Sequence, residues 1–225
     1  MNTTEHSLMV WIISIVIVIL VAFTVSTLVN YFRHKKKAAF YLSLNYIAFA
    51  IAMVLLLIGH VDAVMNGITT AFYNDTSMIG KFFIVAGILF ILLFHGQFVE
   101  VNKSWKYVRI ILGIALMIWI LLPTNYTFGG RTTVIMTYML MALYGLVINL
   151  FLVVSFFKMG KRTEGRKTEL YSLGIGALAF LIYYFLMTIY GMTQSFLIMI
   201  ITQIDLFIAL FMYFIGIYLP KLSSK

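Results

Sequence analysis

The sequence predicts an all-α polytopic membrane protein. It is read as one seven-transmembrane-helix bundle over residues 1–225, with the N-terminus outside and the C-terminus cytoplasmic. Three observations carry this reading. Hydrophobic residues make up 63% of the chain and charged residues 10%, against about half and about a quarter in soluble domains. Seven apolar segments are long enough to cross a hydrocarbon core of ~30 Å, which takes roughly 20 helical residues. Fourteen of the sixteen lysines and arginines fall on one side of those segments, and the side that keeps basic loops is cytoplasmic.

The first span is placed near 8–32. The residues before it lack lysine and arginine, its apolar stretch is too long for a signal peptide, and no small-x-small cleavage site follows, so it is expected to stay in the chain. The basic turn "RHKKK" leads to the second span, 38–59, and an outer connection over 60–79 leads to the third, 80–99. Lys103 and Lys106 lie in the next inner loop and Arg109 at the inner end of the fourth span, 107–123. The fifth span is placed at 132–157 and the sixth at 168–190, joined by the inner loop "KMGKRTEGRK". The seventh, 195–219, ends before Lys221 and Lys225. Only Lys81 and Arg131 are left for the outside.

This orientation sets Trp11 and Trp119 near the outer interface and Trp105 near the inner one, where amphipathic rings anchor. It puts the glycosylation sequons at Asn2, Asn74 and Asn125 outside, and a fourth at Asn102 inside. Neither of the longest connections can bury a core of its own. The inner basic groups suit topogenesis and attraction to anionic lipid, so the bilayer is the expected partner and nucleic acid is not. A multi-pass protein of the cell (plasma) membrane is expected.

An internal echo runs through the spans: "LFILLF" at 89–94 returns as "LFIALF" at 206–211, and "YLSLNYIAFAI" resembles "LYSLGIGALAF". Spans 1–3 and 5–7 would then be parallel repeats joined by span 4, as in some transporters. The two offsets, 117 and 129, differ by the length of an inner loop.

The chemistry is mostly one of absences. There is no cysteine, which removes disulfides and thiolate sites. With Lys81 counted on the outer side at the edge of the third span, no lysine is expected at depth to carry a retinal Schiff base; the position four residues after Asp205 is Ala209. His6, His34 and His60 are expected at termini or interfaces and only His95 within a span, so no haem ligand pair forms. His60, Asp62 and Asp75 read as solvated polar residues rather than a metal set. Hydrolase and phosphate-loop motifs are missing. No cofactor and no enzyme activity are expected.

Polar residues inside the spans remain. At 1.5 Å per helical residue, Asn45, His95, Gln97 and Asn149 fall in the inner half, where they read as interhelical fasteners. Asp205 falls near the midplane with Tyr144, while Tyr183, Tyr184 and Trp119 lie further outward as candidates for a ligand or proton site with it. Asp205 shares a helical face with Thr202, Ala209, Met212 and Gly216, whereas Leu206, Phe207, Phe211 and Phe214 suit lipid. It should therefore point inward as the neutral acid, hydrogen-bonded to Tyr144, Tyr183 or Tyr184.

The stretch "FILLFHGQFVEVNKSWKYVRIILGIALMIWILLPTNYTFGG" and the later "KRTEGRKTELYSLGIGAL" resemble the N-terminal seven-helix sensor region of bacterial and archaeal histidine kinases. The residues up to Lys225 include no dimerisation helix or kinase domain, and none is expected. The resemblance thus implies a sensing bundle that signals through a cytoplasmic or membrane partner, not by autophosphorylation. The leading expectation is a stand-alone seven-helix receptor- or sensor-like module, with its ligand entering from outside between spans 3, 5, 6 and 7. A small 3+1+3 transporter or channel using Asp205 is the second reading, and a structural subunit of a membrane complex the third.

The charge asymmetry generates a topological prediction: tags at residue 2 or 75 are external, and tags at residue 225 or within 160–166 are cytoplasmic. Protease protection of the tagged chain in oriented membranes checks it.

Overall fold

The computed structural model describes residues 3–67, 70–98, 103–122, 131–193 and 195–222, with the backbone alone at 131–135 and 219–222. Among these residues there are seven long helices and no strand: α1 (Thr3–His34), α2 (Lys37–Asn66), α3 (Ala71–His95), α4 (Lys103–Leu121), α5 (Arg131–Arg162), α6 (Lys167–Thr193) and α7 (Phe196–Leu222). Each carries a stretch long and apolar enough to cross a membrane, so the chain is a seven-helix membrane protein. Below, the end that carries Thr3 is the N-terminal end, and the end that carries the lysine- and arginine-rich turns is the basic end. The sequons at Asn2, Asn102 and Asn125, the side chain of Arg131 and the C-terminal Lys225 lie outside the described residues.

The largest departure from the expected boundaries is at α3. Its second turn is made from polar residues, Asn74 to Ser77, that depress hydropathy without opposing helix. Thr70 caps it, its hydroxyl accepting from the Tyr73 backbone N–H at 3.1 Å. The same hydroxyl donates to the Asp62 carboxylate, and Gly67 ends α2 in the left-handed conformation, φ 69°. The outer connection expected over 60–79 therefore shrinks to the residues between Asn66 and Ala71. Lys81, expected at the outer edge of the third span, lies ten residues inside α3. Arg109, expected at the inner end of the fourth span, lies within α4 and is 1% exposed.

Consecutive helices pack closely within α1–α2–α3 and within α5–α6–α7, while α4 rests chiefly on α3 and only lightly on α5. Rings join the two groups. Phe23 of α1 stacks on Phe214 of α7 with centroids 4.4 Å apart, and Phe49 of α2 meets Phe180 of α6 at 5.6 Å. The Tyr46 hydroxyl donates to the Leu210 carbonyl at 3.0 Å. Trp11, Val18, Ile111 and Ile118 stay exposed, as a lipid-facing surface requires.

The expected polarity of the α7 faces holds only in part. Thr202, Ala209 and Gly216 are buried, but so is Leu206, fully, although its bulk suggested lipid. At the α6–α7 seam, side-chain volume fills core space as readily as it covers an outer face.

Close approach of α5 and α6 depends on Gly145. A Cβ there would run into the ring of buried Tyr184. Gly145→Ala is expected to cost about 1–3 kcal/mol by overpacking. Gly165→Ala, on the exposed turn between α5 and α6 with open space around it, should change stability by less than about 0.5 kcal/mol. Thermal unfolding of the two variants in detergent measures the contrast.

Candidate functional site

Helical spacing brings a set of polar side chains to one place in the N-terminal half of the bundle. On α3, Tyr73, Ser77 and Lys81 recur every fourth residue and so share a face. On α2, Leu56 and His60 do the same, and on α7 so do Met199 and Gln203. Met9 and Ile13 of α1, Tyr138 of α5, and Met187 and Tyr190 of α6 complete the wall. Six helices thus enclose a chamber with about 30 Å³ of free space, room for one or two waters.

Lys81 dominates the chamber. It is 4% exposed, its Nζ lies 4.2 Å from the centroid of the Tyr138 ring, and it is 3.2 Å from the Met78 sulfur. No carboxylate meets it. Among the described residues the one ion pair is Arg166–Glu169, at the basic end. Around Lys81, the hydroxyls of Tyr138 and Ser77 are hydrogen-bonded to each other, as are those of Tyr73 and Tyr190. Gln203 Oε1 is buried without a hydrogen-bond partner. A cation desolvated without an anion is costly, and inside membranes such groups mark ligand or ion sites.

A histidine pair closes the N-terminal side. The Nδ1 atoms of His6 and His60 are 2.8 Å apart, so one ring donates and the other accepts. Tyr73 stands edge-on to both rings. His60 is therefore buried rather than interfacial, and its partner comes from 54 residues away. Asp62, weighed beside it as a metal ligand, is held by Asn66 and Thr70. Among the described residues no group of three or more histidines, cysteines or carboxylates could hold a metal. The premise that no span contains a lysine is corrected by Lys81, yet the space beside it is far too small for a polyene chromophore.

The residues singled out from the sequence are divided among several places. Tyr183 and Tyr184 are buried in a ring cluster with Phe180 and Tyr213. Asp205 is half-buried, and its Oδ2 has no hydrogen-bond partner. Tyr183 lies near enough for the two to interact electrostatically, but its hydroxyl is also unpaired. Tyr144 instead donates to the Arg109 carbonyl at 3.0 Å. The expected bond from a tyrosine to Asp205 is thus not formed, because the backbone supplies Tyr144 with an acceptor. Trp119 and Tyr144 do meet, lining an apolar crevice of about 380 Å³ between α4 and α5 that does not include Asp205.

The inner set behaves mostly as fasteners. Asn45 donates to the Gly87 carbonyl at 2.9 Å, joining α2 to α3. His95 Nε2 and the Tyr213 hydroxyl are 3.0 Å apart, joining α3 to α7. Asn149 donates within its own helix, to Gly145 at 2.8 Å. Gln97 is corrected: it follows the end of α3, is exposed, and lines a cavity of about 500 Å³ at the basic end with Asn30, Lys36, Lys37 and Arg166.

The sequence reading missed the Lys81 chamber. The usable signals were the Tyr73–Ser77–Lys81 spacing and the Thr70 cap. No family model, no curated protein and no solved structure matches the chain, so the chemistry of this site rests on its own side chains.

An unpaired buried acceptor gains little from being kept. Asp205→Asn and Asp205→Leu should therefore both unfold within about 1 kcal/mol of the parent. Unfolding midpoints in detergent, compared across the three proteins, decide it.

Proposed function

We propose that this chain is a non-enzymatic seven-helix receptor-like module that takes its ligand from outside, at the chamber around Lys81. The observation that carries the reading is a buried lysine, without a carboxylate in its surroundings, facing a small space shared by six helices and edged by the polar groups of Ser77, Tyr138 and Gln203. A site built from so many helices changes the packing of all of them when its occupancy changes, which is what a sensor needs. Two helices lead from the chamber to the basic end. α3 carries Lys81 and His95, α7 carries Gln203 and Tyr213, and the His95–Tyr213 hydrogen bond ties them again near that end. The rings of Phe49, Phe180, Tyr184 and Tyr213, each at most 2% exposed, fill the core between, which favours transmission of a shift over passage of a solute. The resemblance to kinase sensor regions agrees with a partner at the basic end. The cavity lined by Lys36, Lys37 and Arg166 is where such a partner would read the shift.

Reconstitution in liposomes tests this. The purified protein should give no ion, proton or sugar flux above empty vesicles, since a sensor needs two conformations but no continuous polar path. Reproducible flux abolished by Asp205→Asn would establish a transporter instead. The chain has no cysteine, so Ser77→Cys can be probed alone. A probe of monatomic size, the thiol-reactive silver ion, should reach it from the N-terminal side, and reaction only from the basic side would contradict entry from outside.

A further inference from the structure

We propose that the chamber holds one small inorganic monovalent anion, of halide size, between Lys81 and the surrounding hydroxyls. The assignment deepens the receptor-like reading and rests on its choice of site. The chamber sets donors around its lysine and has no carboxylate in its lining. Lys81 offers three N–H groups, of which one is directed at the Met78 sulfur. The Tyr138–Ser77 and Tyr73–Tyr190 pairs each contain two O–H hydrogens and use one between themselves, leaving one per pair to give. The Gln203 amide can present its NH₂ end as readily as its oxygen, since Oε1 has no partner to hold it.

Charge and size then select the occupant. A cation buried in the membrane-spanning part of the protein with no carboxylate in contact calls for a negative charge. The free space of about 30 Å³ takes a monatomic ion or a water, and not a carboxylate bearing its own side chain, a sulfate or a sugar acid. The aromatic walls and the His6–His60 lid exclude bulk water, which strengthens each charge-assisted hydrogen bond to the ion. Occupancy would draw Ser77 and Lys81 of α3, Tyr138 of α5 and Gln203 of α7 toward one centre. The bound anion thereby sets how the two groups of helices meet.

The test uses the purified full chain in detergent, exchanged into sodium gluconate and titrated with sodium chloride or bromide at constant ionic strength. The unfolding midpoint should rise by several degrees and saturate with chloride and bromide, and it should not move with sulfate. Lys81→Met should abolish the rise. Gln203→Glu supplies a carboxylate beside Lys81 in the anion's place. It should be at least as stable as the parent in gluconate and indifferent to chloride, which keeps the test decisive if Lys81→Met does not fold. A parent midpoint indifferent to anion identity, or an undiminished chloride response in Gln203→Glu, overturns the assignment. Chloride flux in liposomes would sink the receptor reading while leaving a saturable bound anion in place, so the two failures are distinct.

Discussion

A lysine buried at the convergence of six membrane helices is the constraint around which the rest of this bundle is organised. An ammonium group cannot be left in hydrocarbon. It must be solvated by the protein, by an ion, or by both. Tyr138 offers its ring face and Met78 its sulfur, while Ser77, Tyr73 and Tyr190 line the same chamber. None of these neutralises the charge. The chamber is therefore polar enough to tolerate Lys81 but incomplete without something negative, and that incompleteness separates it from an ordinary interhelical hydrogen-bond network.

The packing explains how an event at this depth can be felt at the far end. Lys81 and His95 lie on one continuous helix, as do Gln203 and Tyr213, and the His95–Tyr213 contact closes the loop. The intervening core is ring on ring, with Phe94 and Phe156 beside His95. Interiors packed in this way transmit displacement rather than absorb it. Glycines at the tightest crossings, Gly145 against Tyr184 above all, leave little freedom for the helices to slide independently.

α4 stands apart from this. It is the shortest of the seven, lies lightly on α5, and leaves an apolar crevice lined by Trp119 and Tyr144. Its buried cation, Arg109, is accommodated differently from Lys81, sandwiched by the rings of Trp105 and Phe151 at 5.3 and 4.6 Å without a hydrogen bond to its guanidinium. Cation–π contact on two sides offsets part of the desolvation of a weakly hydrated guanidinium. A compact ammonium such as Lys81 is more strongly hydrated and depends more on an ion.

Composition and hydropathy determined the class of this protein, the number of its helices and the alternation of their ends, because crossing lipid imposes length and apolarity on each segment separately. Asn45 and His95 could be read as fasteners for the same reason: a polar side chain in an apolar run must find an interhelical partner. What only the tertiary structure decided is which polar residues share a space. Lys81 looked like a residue of the outer edge because Asn74 to Ser77 lower the local hydropathy, yet a threonine cap and four-residue spacing carry the helix through them. His6 and His60 looked interfacial because each is near the end of an apolar run, and their pairing depends on the approach of α1 to α2. Asp205 drew attention as the acid in the most apolar run, but depth along one helix says nothing about azimuth relative to six others. Contacts among distant segments are set by the joint packing of the whole bundle, and no local pattern encodes that sum.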